Sequence, residues 1–329
     1  MPLSEHILIT GAGGFISQTL GPVLLSSNPG LILTLADVFE PPIPPSCKPQ
    51  SSRITCLKAD LTSASAVNAL VSPSKFTTCY LLHGIMSAGS EADLELGLRV
   101  NLDSHRLMLD ALRRLQPGVR VIFSSSLAVY GPTRASGVIE DDEVFDEMVL
   151  PLPRSSYGSQ KFMVEQLIQD YSRKGLIDGR VARLPTVVVR PGKASNAASS
   201  FASGIIRESL QGIPNTYPCS ASLKMWICAP STAVHNLALL RTLPSSSFNT
   251  TTRVINLPGQ TVTVKKMLDA LEEVAGKEAR GMVKEEREER HERILETWPN
   301  RFDTWKAEAL GMKADIDVRE LIEEFRRSL

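Results

Sequence analysis

Tyr157 and Lys161 stand four residues apart in Tyr157-Gly158-Ser159-Gln160-Lys161, with Ser124-Ser125-Ser126 upstream. On a helix this spacing puts the phenol and the amine on one face, a turn apart. An ammonium beside a phenol favours the phenolate and lowers its pKa. Such a phenol can exchange a proton with a substrate hydroxyl near neutral pH, which is the work of a general base. A positioned serine can hold the same oxygen. These groups suit oxidation of an alcohol or reduction of a carbonyl, provided something else carries the hydride. Tyr-x-x-x-Lys alone arises by chance in many helices, so the surrounding elements decide its meaning.

The first of those elements is a glycine turn. His6-Ile7-Leu8-Ile9-Thr10 is a short apolar run, followed by Gly11-Ala12-Gly13-Gly14-Phe15-Ile16-Ser17 and an apolar stretch from Thr19 to Leu25. This reads as strand, turn, helix. Glycines let the backbone approach a pyrophosphate, and the helix N-terminus meets it with free N–H groups and a positive dipole end. The spacing is G-x-x-G-x-x-S rather than G-x-G-x-x-G, and such turns also simply join strands to helices. A second apolar run, Leu31 to Leu35, ends at Ala36-Asp37. An acid at the end of the second strand can bind both ribose hydroxyls of NAD. No Arg or Lys occurs from Val38 to Cys47, so a clamp for the extra phosphate of NADP is missing nearby. Asp37 can also be an ordinary turn acid.

Composition bounds the rest. The chain has 329 residues, 43% hydrophobic and 22% charged, with 36 basic and 36 acidic side chains. That is ordinary globular composition with room for a large core. A neutral balance offers no footprint for nucleic acid and no polybasic membrane surface. Cys47, Cys56, Cys79, Cys219 and Cys228 form no C-x-x-C pair and no metal-ligand cluster, so no metal is expected. Thiols in a reducing compartment, no membrane-length apolar run and no signal-peptide pattern at the N-terminus point to a cytoplasmic protein.

Strand candidates at 6–10, 31–36, 53–57, 77–83, 119–123 and 180–188 alternate with helical stretches near 15–26, 63–71, 91–115 and 157–174. The expected fold is α/β, a doubly wound parallel Rossmann-type sheet. Residues 1–190 form the dinucleotide-binding domain with the Ser, Tyr and Lys. After Gly192 the alternation breaks into helices at 200–211, 231–243 and 265–274 and short strands near 224–228 and 253–257. Residues 191–329 therefore read as a smaller α/β substrate lobe, possibly interleaved with the first domain. In the charge run 285–293, Glu286–Arg290 and Glu289–Arg293 are spaced for pairing on a solvated helix face.

Several residues near the expected strand ends have two readings. Asp60-Leu61 follows the third strand, beside the expected adenine, and equally precedes a helix start at Thr62-Ser63. His83-Gly84 ends the fourth strand, where cofactors sit in this architecture. His83 is equally a structural hydrogen bonder. Ser87 is better placed to reach a substrate. Asn101, in an otherwise amphipathic helix, is either exposed or a brace for neighbouring strand ends. The serine cluster follows a core strand, so its hydroxyls should emerge at the cofactor edge. Trp226 either walls the pocket or, more simply, packs in the core.

Together these motifs resemble the extended short-chain dehydrogenase/reductases, also called the NAD-dependent epimerase/dehydratase family, over nearly the whole chain. Thr10-Gly11-Ala12-Gly13-Gly14-Phe15-Ile16 matches its nucleotide motif, and Ser-Ser-Ser-Leu-Ala-Val-Tyr-Gly at 124–131 its serine motif. The resemblance implies an oxidoreductase with Ser126 as catalytic serine, Tyr157 as acid/base and Lys161 as the ribose-binding lysine that tunes it. It implies NAD held by Gly11, Gly13, Gly14, Phe15, Ile16, Asp37, Asp60, Leu61, His83, Gly84, Asn101, Tyr157, Lys161, Pro185 and Val187. Ser17 replaces the third motif glycine, whose absence is expected to loosen helix–strand packing slightly.

Segments 87–93, 170–175, 183–192, 196–201 and 298–303 look like those of a narrower group, the D-erythronate dehydrogenases. This implies a small sugar-acid substrate and a place in carbohydrate metabolism. Ser87, Ser126, Tyr157, Arg190, Asn196, Ser199 and Ser200 are the expected substrate contacts. Arg190 can clamp a carboxylate in two-pronged fashion or form a structural ion pair. Two other functions stay open: a nucleotide-sugar epimerase or dehydratase that recycles bound NAD, and a silent NAD-sensing or scaffold protein. The family resemblance further implies a homodimer built on the helices at 91–115 and 157–174.

Overall fold

The computed structural model describes residues 5–192, 198–248, 252–315 and 317–329. Its first half runs β1 (His6–Thr10), α1 (Phe15–Ser27), β2 (Ile32–Asp37), β3 (Ile54–Lys58), α2 (Ala64–Val71), β4 (Thr78–Leu81), α3 (Ser87–Ala92), α4 (Leu94–Gly97), α5 (Ser104–Leu115), β5 (Arg120–Ser126), α6 (Ser156–Arg173) and β6 (Asp178–Leu184). The second half adds β7 (Thr186–Val187), α7 (Ser200–Arg207), β8 (Asn215–Tyr217), β9 (Lys224–Cys228), α8 (Pro230–Thr242), β10 (Val254–Asn256), β11 (Gln260–Thr263), α9 (Val264–Gly281), β12 (Val283–Glu285), α10 (Glu289–Leu295), α11 (Trp305–Ala309) and α12 (Val318–Arg326).

The central sheet has seven strands in the order β10-β6-β5-β4-β1-β2-β3. Every pairing in it is parallel. Its central strands are almost wholly buried, as a sheet covered on both faces requires. One face packs on α2, α5 and α6 through residues such as Val67, Met108 and Ile168. The other packs on α1 and α8 through Leu20, Leu24, Leu237 and Leu240. Strand order reverses between β1 and β4, and the crevice at that switch point is where ligands bind in such sheets.

Four segments depart from the pattern-based expectation. The run 180–188 is two strands, because Pro185 lacks an N–H and cannot continue the ladder. The chain breaks there, and β7 pairs with β9 in a separate three-stranded sheet. The helix expected at 91–115 is interrupted by a wide π-type turn over Leu98–Asp103, which carries Asn101. Strand 77–83 ends early at Leu81, leaving His83 and Gly84 in a loop. The segment 253–257 was expected in the smaller lobe, yet β10 pairs with β6 at the edge of the central sheet. All its residues are buried: β6 supplies the ladder, and Val254 and Ile255 pack into the cores on opposite faces of the sheet.

The smaller lobe has its own core of residues such as Ile205, Met225, Ile227, Val264 and Leu268, sealed by Leu321, Ile322 and Phe325 of α12. In the charge run, Glu289 and Arg293 pair as spaced; the Arg290 side chain lies outside the described residues. Glu292 unexpectedly accepts bonds from Arg287 (2.7 Å) and the Ser220 N–H (2.8 Å), tying α10 to the lobe.

A buried polar cluster joins α6, β5 and β6. Glu165 accepts from Arg183 Nε (3.0 Å) and Nη2 (2.6 Å) and from Ser125 Oγ (2.5 Å). Arg183 also donates to the Tyr130 hydroxyl at 2.5 Å, which in turn donates to the Asp146 carbonyl at 2.7 Å. None of Glu165, Arg183, Ser125 and Tyr130 is more than 4% exposed. Removing one member strands the other charge in a dry interior. Glu165→Ala is therefore expected to lose about 3–5 kcal/mol of stability in urea denaturation, a far larger loss than Glu289→Ala on the solvated face of α10.

Candidate active site

Gly11 leaves β1 at φ +66°, and a Cβ there would lie 2.6 Å from the His83 backbone. Only glycine lets these two loops approach so closely. The Gly13 N–H donates to Asp37 Oδ2 at 2.9 Å, and Val38 N–H donates to Oδ1 at 2.7 Å. Asp37 thus sits at the end of β2 as expected and also braces the glycine turn. Gly14 is the N-cap of α1, and no side chain caps that helix. Its first N–H groups and positive dipole end open toward a cavity of about 250 Å³. Ser17 does not loosen the turn. Its hydroxyl is buried and donates to the Gly11 carbonyl at 2.8 Å, stapling loop to helix.

The cavity lies at the carboxyl ends of β1, β4 and β5. Gly11, Gly14, Phe15 and Ile16 line it from the first turn, and His83, Gly84 and Ser87 from the loop after β4. Ser126, Tyr157 and Lys161 face it from β5 and α6, and Pro185, Val187, Arg190 and Ser199 close it from the segment after β6. Six predicted residues are not among its described lining: Gly13 and Asp37, which bond each other at the glycine turn, and Asp60, Leu61, Ser200 and Asn101. Asp60 is exposed and accepts from Thr62 N–H (3.0 Å) and Oγ1 (2.7 Å), a local turn that also lowers its pKa. Leu61 is buried in the core under α2. Ser200 starts α7. Asn101 is fully buried rather than exposed. Its amide bonds both polar groups of the Ile85 backbone, at 2.8 and 3.1 Å, and the Gln160 side chain at 2.9 Å. It therefore ties the loop after β4 to α6 from behind the cavity wall. Asn196 lies outside the described residues. Trp226 packs against Phe302 at 5.2 Å in the interior and does not wall this cavity.

The reactive groups are fixed by their elements. Ser155 caps α6 by accepting from the Gly158 N–H at 3.1 Å. A Cβ on Gly158 would lie 2.0 Å from the Ala128 carbonyl oxygen, so this glycine seats the first turn of α6 on the serine loop. Lys161, only 3% exposed, donates to the Ser124 carbonyl at 2.8 Å and lies 4.7 Å from the Phe123 ring centroid. Ser126 accepts from the Ala128 N–H at 3.1 Å, which turns its hydroxyl toward the cavity mouth shared with Tyr157. His83 bonds Thr10 (2.7 Å) and Ser104 (2.9 Å) and stacks on His105 at 3.8 Å. Burial and the nearby Lys161 charge push its pKa down to about 3, so it is a neutral structural bonder.

The expected ammonium is not the charge that acts most on the phenol here. Burial pushes Tyr157 up to about 12, and the opposing charge is Arg190. Lys161 is itself lowered to about 7 by burial, against the pull of Glu165. Its nitrogen lies 5.6 Å from the Tyr157 ring centroid and is spent on a backbone carbonyl. Arg190 reaches the cavity with its guanidinium 6.0 Å from the Phe15 ring centroid and, among the described residues, pairs with no carboxylate. Sequence reasoning missed Trp298, which lines the cavity from far along the chain, and the Glu165–Arg183 support. No spacing rule relates residue 298 to residue 157.

The model of the NAD dependent epimerase/dehydratase family matches residues 7–226. The chain belongs to that family. NAD is its cofactor. A D-erythronate dehydrogenase of Haemophilus influenzae is 40% identical to it, covering 97% of this chain and 98% of that one. Another from Cupriavidus necator is 39% identical, covering 97% of each. A solved structure described as a nucleoside-diphosphate-sugar epimerase from Agrobacterium tumefaciens has 33% identity and a TM-score of 0.87, covering 97% and 92%. L-threonine 3-dehydrogenase from Trypanosoma brucei, at 22% identity and TM-score 0.81, shares the fold. The chain's own residues fit a dinucleotide: α1 starts uncapped at the cavity, and Asp37 stands at the tip of β2.

Among the described residues, no group of three or more His, Cys, Asp or Glu is placed to hold a metal ion. No helix among them is long and apolar enough to cross a membrane. The lowered Lys161 pKa has a consequence for stability. Between about 7 and 10.5 the unfolded chain holds a proton on Lys161 that the folded chain has lost. Stability from this group therefore rises with pH across that window and is lowest on the acid side. Lys161→Met should flatten the rise, as read from the wild-type-minus-variant difference in denaturation free energy at either end of the window.

Proposed function

We propose that this protein is an NAD-dependent dehydrogenase that oxidises a secondary hydroxyl of a small, D-erythronate-like sugar acid to the keto acid. The observation that carries the reading is one cavity in which Ser126, Tyr157, Lys161 and Arg190, which pairs with no carboxylate among the described residues, converge beside the uncapped start of α1. The curated relatives of matching length support the same substrate class.

Bound NAD supplies the hydride acceptor. The protein's part is binding, orientation and proton handling. Free N–H groups at the start of α1 would hold the pyrophosphate, and Asp37 the adenosine ribose. Asp60 would stand on the adenine side, with Leu61 packed behind it in the core; Gly84, Pro185 and Val187 would flank the nicotinamide side, with Asn101 bracing the loop behind. Lys161 would hold the second ribose. Ser126 donates to the substrate oxygen, and Tyr157 removes its hydroxyl proton as the carbon gives up its hydride. A base with its pKa raised to about 12 needs positive charge nearby to work at neutral pH. Arg190 supplies that charge and also meets the substrate carboxylate. Ser87 and Ser199, which line the cavity, would satisfy the remaining hydroxyls, with Asn196 and Ser200 as further candidates.

The 33% identical structure described as a nucleoside-diphosphate-sugar epimerase favours a second reading, in which NAD stays bound and is recycled. The two differ in product. The dehydrogenase releases NADH in step with keto acid from erythronate, threonate or a related acid; the epimerase converts a nucleotide sugar with no net NADH. Tyr157→Phe should still bind NAD and lose at least about 100-fold in turnover. Wild-type-like turnover in that variant would remove Tyr157 from the mechanism.

We further infer a cytoplasmic homodimer. All five cysteines are free thiols, as a reducing compartment allows. Leu94 of α4, Leu115 of α5 and Met163 of α6 are exposed apolar residues on the helices expected to pair. Light scattering should give twice the 35.9 kDa chain mass; a monomer at assay concentration would count against the pairing.

A further inference from the structure

Behind the main cavity lies a smaller hollow, and the two share three wall residues, Leu127, Thr186 and Trp298. These side chains form a partition. Leu127 directly follows Ser126, so the partition stands beside the oxygen on which the chemistry acts. Beyond it the hollow is bordered by Met225, Trp226 and Lys224. Lys224 pairs with Asp141 at 2.6 Å and is about one-third exposed, so a cation waits on the far side.

Trp298 is the largest member of the partition, and its segment is pinned on both sides. The Ile139 N–H donates to the Glu296 carbonyl at 3.1 Å, and the Trp298 N–H to the Leu295 carbonyl at 3.1 Å. Thr261 Oγ1 donates to the Asn300 carbonyl at 2.6 Å, and the Phe145 N–H to the Arg301 carbonyl at 3.0 Å. Phe302 packs among Tyr130, Phe145 and Trp226, with ring centroids 5.2–6.0 Å apart. A side chain carried on so anchored a strap is a fixed wall. Among the described residues its indole nitrogen makes no hydrogen bond, so it meets the substrate with its shape.

We propose that Trp298 is a specificity-determining residue that limits substrate length: with Leu127 and Thr186 it closes the cavity and confines the enzyme to short sugar acids. The inference rests on the sugar-acid dehydrogenase reading. It goes further by naming which wall excludes a longer chain and where that chain would go. Removing the indole joins the cavity to the hollow and lets a longer polyol run toward Lys224.

The test compares D-erythronate with six-carbon D-gluconate on the full-length protein with NAD. In Trp298→Ala, kcat/KM for gluconate relative to erythronate should rise about tenfold or more over wild type. Most of the change should lie in the KM for gluconate. Trp298→Phe, which keeps a ring in the partition, should stay near the wild-type ratio. A ratio of two substrates on one sample cancels any loss of folded protein. If Trp298→Ala is insoluble, Trp298→Leu answers the same question. An unchanged ratio in a folded variant overturns the proposal. Failure of the wild type to oxidise any sugar acid while binding NAD is a different result: it overturns the dehydrogenase reading and this inference with it.

Discussion

The buried Glu165–Arg183 pair is the constraint on which the site depends. It joins α6 to β6, with Ser125 of the neighbouring strand β5 on the same carboxylate. Arg183 carries the link on to Tyr130, at the exit of the serine strand. Ion pairs of this kind add little net stability over an apolar packing of equal volume, because desolvation costs so much. What the pair contributes is position. A carboxylate with its oxygens committed on three sides permits one register of α6 against β5 and β6. That register sets where Tyr157 and Lys161 stand relative to Ser126.

The same register determines the charges. Lys161 points at the Ser124 carbonyl, one residue before Ser125, and gives a hydrogen bond to backbone instead of lying against the phenol. Burial then dominates both titrations, raising the phenol and lowering the amine. The positive charge that opposes burial at Tyr157 comes from Arg190, beyond the break at Pro185. The charges around the phenol therefore come from two segments that are separate in the sheet. The dinucleotide half supplies phenol, serine and lysine; the segment that leaves the central sheet supplies the guanidinium.

The parts of the fold that were legible in the sequence are those governed by local rules. The glycine turn, the alternation of strands and helices, the acid at the tip of β2 and the four-residue spacing of Tyr157 and Lys161 follow from backbone sterics and periodicity. Asn101 shows where such rules stop. Its place in a helix was clear, and periodicity suggested exposure or bracing; burial against Ile85 and Gln160 decided for bracing. Val254–Asn256 shows the same limit at the level of topology. A short apolar run announces a strand, but its partner is chosen by which sheet edge needs covering.

Sequence by itself determined the chemistry available: a phenol, an amine and a serine hydroxyl in family order, behind a turn able to receive a dinucleotide. These depend on residue type and short-range spacing, which a linear chain displays directly. Only the tertiary structure decided that Arg190 is the charge acting on Tyr157, that Ser17 staples the glycine turn, and that Trp298 walls the cavity. Each of these depends on through-space distance or on burial. Neither is a function of separation along the chain, so no pattern in the sequence could display them.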